Sequence, residues 1–487
     1  MEPETKAYEH WKSIPLPIYQ RFYFFNVSNA IEIERSGAKP NLVEIGPFTY
    51  RSKWEKTNII YYDNGTVSYN EKKTYYFVPE LSFADENVNI TTLNAPLAAT
   101  LTLIQNASPA VRLVITLALD GASEGFFITR TPKQLIFNGY SDLLTTFGPL
   151  LNPRMRTNNQ GKFGWLFGKN GTEEGPFNVY TGASDINMLN LIDRFKGSEN
   201  LPYWTTDECN SLKGSTNAQM FPPLKDEDKS IYFFHPDFCR KWKLNYNDTF
   251  TTKYGVKAKR FVPDPNLFKN QIDYPPNGCF ISKLPTSLPP PLFGIASRTS
   301  RQRKIRFPSG VFDMSTCKYG APVFMSFPHF LGADPYYASN FNGIKPNSSL
   351  HSFYMSVAPT TGSSVETRAR VQINIFINKP PGVFRFRNVP DIVFPVFWQE
   401  LAVSMSEEFS NYLNWAIKQP SLVSSISSTS IFIVGIIFIL TSAIFPLYNT
   451  LKLEIQKDAI EKAGNNMQTN NSKVKSLFQL TSRSWIK

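Results

Sequence analysis

Between Gln419 and Leu451 the sequence has no Asp, Glu, Lys or Arg, thirty-three residues without a formal charge. The centre of that run, Ile431 to Phe445, is almost wholly apolar. A helix rises about 1.5 Å per residue, so roughly twenty such residues span the hydrocarbon core of a bilayer. Trp415 and Tyr448 fall near its two ends, where amphipathic rings favour the headgroup zone. Soluble core helices seldom run this far without a charge. Residues 422–448 are therefore expected to form a transmembrane helix.

Other absences narrow the function. No Gly-rich phosphate loop, HExxH or CxxC is present, so nucleotide, metalloprotease and thiol-redox chemistry have no motif to rest on. Only four His occur, none with metal-ligand or triad spacing. His329 is accordingly expected to be a packed structural residue, with no metal or cofactor. One pattern looks catalytic, the G-x-S-x-G at Gly121-Ala-Ser123-Glu-Gly125. A nucleophile elbow needs a strand before the Ser and a helix after it. Val111–Leu119 passes for the strand, but Phe126–Pro132 is β-branched, aromatic and proline-stopped. No enzymatic activity or catalytic residue is expected.

The opening stretch, Met1 to His10, is polar and charged. A translocated domain needs an apolar signal or anchor, so that segment is expected to lie upstream of Met1. Cysteine is scarce as well. All four lie between Cys209 and Cys317, an even number that suits an oxidising compartment. Four cysteines allow three connectivities, and spacing does not choose among them.

What is present points the same way. The tail from Lys452 to Lys487 holds six Lys and one Arg against Glu454, Asp458 and Glu461, and short basic flanks stay in the cytosol. The large region before the anchor is then expected to face outward or into a lumen. It carries seven N-x-Ser/Thr sequons, at Asn26, Asn64, Asn89, Asn106, Asn170, Asn247 and Asn347. Basic and aromatic residues are plentiful, yet glycosylation sites argue against nucleic acid as a partner.

Local patterns give the elements. Asp63-Asn64-Gly65-Thr66 lies between strand-formers and predicts a hairpin turn. Lys73–Val78 predicts another strand. From Pro96 to Asp120, Leu97, Leu101, Ile104, Val111, Val114, Ile115 and Leu117 recur at helical spacing, with Pro109 breaking the run in two. Thr131-Pro132 reads as a helix start, followed by Leu135, Ile136, Leu143, Leu144 and Phe147 as its apolar stripe. Residues 352–357 and 371–378 alternate with period 2, as strands with one buried face.

Ile14 to Asn29 followed by Glu44-Ile-Gly-Pro-Phe-Thr-Tyr50 closely resembles the class B scavenger receptors. That family includes the fatty acid translocase, the lysosomal integral membrane proteins and the insect sensory neuron membrane proteins. Gly214–Pro223, Cys317–Phe324, Pro328–Leu331 and Phe394–Glu400 follow the family order. The resemblance covers roughly residues 11–450. It is interrupted at 282–306, a Pro- and Arg-rich stretch where two cysteines of related receptors are missing together. That stretch reads as a solvated, interacting or protease-sensitive loop.

The resemblance implies an α+β membrane protein. Its ectodomain, 1–418, would have an antiparallel β-barrel core, a helical cap over about 95–150 and a hydrophobic tunnel. The C-terminal transmembrane helix would lead to a cytosolic tail at 452–487, and an N-terminal counterpart is missing from the sequence. It implies the pairs Cys209–Cys279 and Cys239–Cys317 within the disulfide region 209–317. It further implies a cell-surface receptor passing fatty acids or other neutral lipids to the membrane, with lipoproteins and apoptotic or foreign particles as further ligands and oligomers as an option. The alternative is a lysosomal or endosomal trafficking receptor for a protein ligand. At the cap hinge, Leu119 to Gly125 has two acids and no base. Leu119, Gly121, Phe126 and Phe127 are therefore the candidates for lipid access. The alternative for the two phenylalanines is packing of the helix pair.

Overall fold

Asn64 and Gly65 turn the chain tightly because glycine accepts the left-handed backbone there, with φ of +77°. The strands on either side are far longer than local propensity suggests. A computed structural model describes residues 3–481, apart from 107, 122–124, 143–144, 146–160, 281–306 and 380–382. The chain lays down α1 (Lys6–Lys12), β1 (Ile18–Val27), α2 (Ala30–Ser36), β2 (Leu42–Tyr61) and β3 (Thr66–Phe77). An insertion follows, with β4 (Ile90–Leu93), α3 (Ala95–Leu103), α4 (Pro109–Gly121) and β5 (Phe127–Arg130). Next come β6 (Tyr140–Ser141), β7 (Lys162–Phe163), β8 (Glu173–Tyr180), β9 (Ile192–Phe195), β10 (Ser230–Phe234), β11 (Lys241–Thr251) and β12 (Lys257–Pro263). The last part holds β13 (Phe312–Asp313), β14 (Val323–Ser326), α5 (Ser348–His351), β15 (Tyr354–Val357), β16 (Ser364–Phe376), β17 (Val393–Ser404) and α6 (Glu407–Thr481).

Among the described residues, thirteen strands join one antiparallel sheet ordered β10-β11-β12-β15-β16-β17-β1-β2-β3-β8-β9, with β14 branching from β16 and β13 from β14. The first strand pairs with the last, Ile18 opposite Val403 and Phe24 opposite Phe397. The ladder does not close into the barrel the resemblance implies, because β9 and β10 do not pair. A non-strand segment lies between them instead. Ile192 N donates to Ser215 O (2.8 Å), Thr216 N to Tyr232 O (3.1 Å), and Phe234 N to Thr216 O (2.8 Å).

Alternation places Gln20, Phe22 and Phe24 on one face of β1 and Arg21 and Tyr23 on the other. The first face meets Phe48 and Phe397 in the main core. Each such buried side chain contributes about 1.5–3 kcal/mol. The other face is not left to solvent either. Gln372 and Asn374, expected on an exposed face of β16, are fully buried. Gln372 Oε1 accepts from His329 N (2.6 Å), its amide donates to Asn374 Oδ1 (2.7 Å), and Asn374 Nδ2 donates to Ser326 Oγ (3.0 Å). Chain packed over this face satisfies those groups, which makes their burial tolerable.

The strand expected at 73–78 proves to be the continuation of β3 from the hairpin. Pro109 starts α4, as the broken periodicity implies. The chain divides into two compact units, 1–414 and 415–487. Residues 415–481 of the second belong to α6, which is long and apolar enough to cross a membrane.

Candidate functional site: the α4 face, the interior cavity and a histidine pair

The insertion β4–α3–α4–β5 sits over the Val27 and Val393 ends of β1 and β17, opposite to the end at which the chain leaves β17 for α6. Leu97, Leu101 and Ile104 point into the core, as do Ile115 and Leu119 of α4. The helical stripe expected along α4 is otherwise turned outward. Leu113, Val114 and Leu117 are 60–65% exposed and Val111 is 42% exposed. Monomeric proteins seldom leave such a contiguous apolar strip uncovered without a partner for it. The single charge within it, Arg112, donates to Gln105 O (2.8 Å).

Of the access candidates, Gly121 is exposed at the end of α4. Leu119, Phe126 and Phe127 belong to the main core, with Phe126 against Phe386 and Phe127 against Phe394. Glu34 Oε1 accepts from the backbone N–H of Phe126 (2.6 Å) and Phe127 (3.2 Å), fixing the start of β5. Ser123 and Glu124 lie outside the described residues, as do Leu143, Leu144 and Phe147. The frame around Ser123 is nevertheless helix α4 before and strand β5 after, the reverse of a nucleophile elbow. Arg385, 266 residues away in sequence, donates to the Leu119 carbonyl at the C-terminal end of α4, where a cation is favoured. The purely acidic hinge read from the sequence thus has a cation brought to it by the fold.

Toward the Ile18 end of the sheet a cavity of about 100 Å³ is lined by Gln20, Trp54, Lys73, His235, Gln399 and Leu401 among others. That is well below the roughly 300 Å³ of the smallest usual ligand pockets. Lys73 pairs with Glu71 (3.3 Å) and lies over the Trp54 ring (4.4 Å). Burial pushes the Lys73 ammonium down, but Glu71 and neighbouring groups outweigh it and hold the group charged. Burial pushes the Asp237 carboxyl up, yet Lys318, His235 and other cations bring it down to about 2. The aromatic core and this charged chamber follow one another along the same inner face.

On the outer face the fold joins residues that sequence reasoning left apart. His329 and His351 stack with ring centroids 4.3 Å apart and planes 6° apart. His329 Nε2 lies 2.6 Å from Glu44 Oε2, which also accepts from Trp398 Nε1 (2.7 Å). Ligand atoms of Glu44, His329 and His351 lie within 4.8 Å of one another. His329 is packed and structural, but 285 residues separate it from Glu44, and no local spacing reveals such a pair.

Cys209 is bonded to Cys279 and Cys239 to Cys317, the pairing the resemblance implies. Of the sequon asparagines, Asn64, Asn89, Asn170, Asn247 and Asn347 are exposed and Asn26 is half-buried in β1. The Asn106 side chain lies outside the described residues.

The sequence model of the CD36 family matches residues 1–445. The chain is 31% identical over 428 residues to scavenger receptor class B member 1 of Mus musculus, covering 87% of this chain and 78% of that protein. It is 32% identical over 429 residues to lysosome membrane protein 2 of Homo sapiens, covering 87% and 82%. With the family model matched over residues 1–445, and an apolar helix after a disulfide-linked, strand-rich unit, this chain belongs to the CD36 family.

Proposed function

We propose that the chain is a scavenger-type receptor of the plasma membrane that captures fatty acids or other neutral lipids on the outer face of α4. It passes them through the ectodomain to the bilayer, with residues 452–487 in the cytosol. The observation that carries this reading is the exposed row Val111, Leu113, Val114 and Leu117, which offers apolar contact and almost no charge. An acyl chain gains about 0.8 kcal/mol for each CH₂ it buries. Phe126 and Phe127 stand at the α4 end of the aromatic core, beside the route such a chain would take.

A second reading is favoured by the same surface, since an apolar helix face also suits a helical protein ligand, as in helix-in-groove docking. It would make the chain a trafficking receptor of endosomes or lysosomes.

Leu113→Asp with Leu117→Asp changes exposed positions and should leave stability within about 1 kcal/mol. Cells displaying this variant should take up fluorescent long-chain fatty acid at least about tenfold more slowly, the effect of losing roughly 1.4 kcal/mol of binding. Uptake at the unaltered rate would refute capture on α4. Phe127→Ala is less discriminating, because removing a core phenylalanine costs about 3–5 kcal/mol whatever its role.

A further inference from the structure

The stacked histidines are wired in an unusual sense. His329 Nδ1 accepts from the backbone N–H of Lys345 (3.0 Å), and His351 Nδ1 accepts from that of Asn347 (3.0 Å). Each ring is thereby fixed as the neutral form with its proton on Nε2, and His329 Nε2–H donates to Glu44. Both rings are buried, at 5% and 4% exposure. A metal held on Nε2 would need Nδ1 to carry the proton and donate, but two backbone N–H groups already occupy those lone pairs. The cluster is therefore unsuited to a cation, despite its ligand-like composition.

The same wiring makes it sensitive to protons. An imidazolium donates from both nitrogens, so protonating His351 sets N–H against N–H at Asn347. The segment so held is short. It is tied to the sheet further on by Arg370 Nη1, which donates to Ser352 O (2.9 Å), and earlier by Leu42 N, which donates to Asn342 O (2.9 Å).

We propose that His351 is a proton-operated latch: its ring, packed on His329 and on Trp398 of β17, holds residues 344–351 against the sheet while neutral and releases them when it takes a proton. The charged and titratable groups facing His351 are His329, Glu44 from β2 and Arg370 from β16. Burial pushes Glu44 up, but hydrogen bonds from His329 and Trp398 outweigh it and hold its carboxyl below the usual range. It stays ionised as His351 titrates. Burial, then His329, pushes the His351 imidazole down to about 4. A free imidazole titrates near 6.5, so opening gains a proton that the closed form refuses. The latch is intact above about pH 6.5 and weakens progressively as pH falls toward about 4.

Hydrogen exchange on the full chain in detergent, corrected for intrinsic rates, tests this. Between about pH 7.4 and about pH 4.5, protection of the Asn347 amide should fall on the order of a hundredfold, while β17 amides hold. His351→Asn keeps an acceptor where Nδ1 stood and takes no proton, so it should abolish that response at Asn347. An undiminished response in His351→Asn would overturn the latch. Should the variant misfold, the unaltered protein decides alone, since equal acid sensitivity at Asn347 and in β17 would overturn it too. Added zinc at neutral pH should leave exchange unchanged; protection of 344–351 by zinc would refute the tautomer assignment and the latch with it.

Discussion

Glu400→Leu should destabilise the unit of residues 1–414 by about 3–5 kcal/mol, read as a lowered denaturant midpoint of the whole chain. Glu400 is 3% exposed and sits between two arginines, accepting from Arg21 (2.6 Å) and Arg370 (2.7 Å). All three are direct cross-strand partners, Arg21 on β1 and Arg370 on β16 both facing Glu400 on β17. The triad thus pins the register of the strands that join the start of the chain to its end. Removing the carboxylate leaves two guanidinium groups partly buried with no counter-charge, which is why the cost exceeds that of an ordinary surface pair. Replacing all three by leucine should recover most of the loss. A single-variant loss under about 1 kcal/mol would show that water solvates the arginines.

Cys239→Ser with Cys317→Ser should cost about 4.5 kcal/mol, the chain-entropy value for a loop of this length. The two cysteines are 78 residues apart, and the second bridge, Cys209–Cys279, interleaves with theirs at a separation of 70. Cys239 is buried, and its carbonyl accepts from Trp204 Nε1 (2.8 Å), so its neighbourhood is packed independently of the sulfur. A drop below about 1 kcal/mol in the unfolding free energy would mean that the open chain is already confined there. The pairing also bears on the basic stretch 282–306. Cys239 precedes it and Cys317 follows it, so a proteolytic nick inside it should separate two fragments only under reduction.

Where local chemistry decides a feature, the sequence was a sufficient guide. The Asn64-Gly65 turn, the break at Pro109 and the apolar run in α6 each depend on residues within a few positions. The errors share a different cause. Alternation in 371–378 correctly marks a strand, but which face is covered depends on chain packed from 307–351. Helical spacing marks α4, yet whether Val114 and Leu117 face core or solvent is set by what the insertion rests on. The Glu44–His329–His351 cluster and the Arg385 contact to Leu119 join residues hundreds of positions apart, and no periodicity carries that information.

The pairing of β1 with β17 also sets a clock. A ribosome adds about 5–20 residues each second, so the nearly 400 residues between Ile18 and Val403 take roughly twenty to eighty seconds to make. Through that interval one edge of β1 has no partner, and an unpaired strand edge invites association with other chains. Until its last strand arrives, the newly made chain carries that open edge exposed.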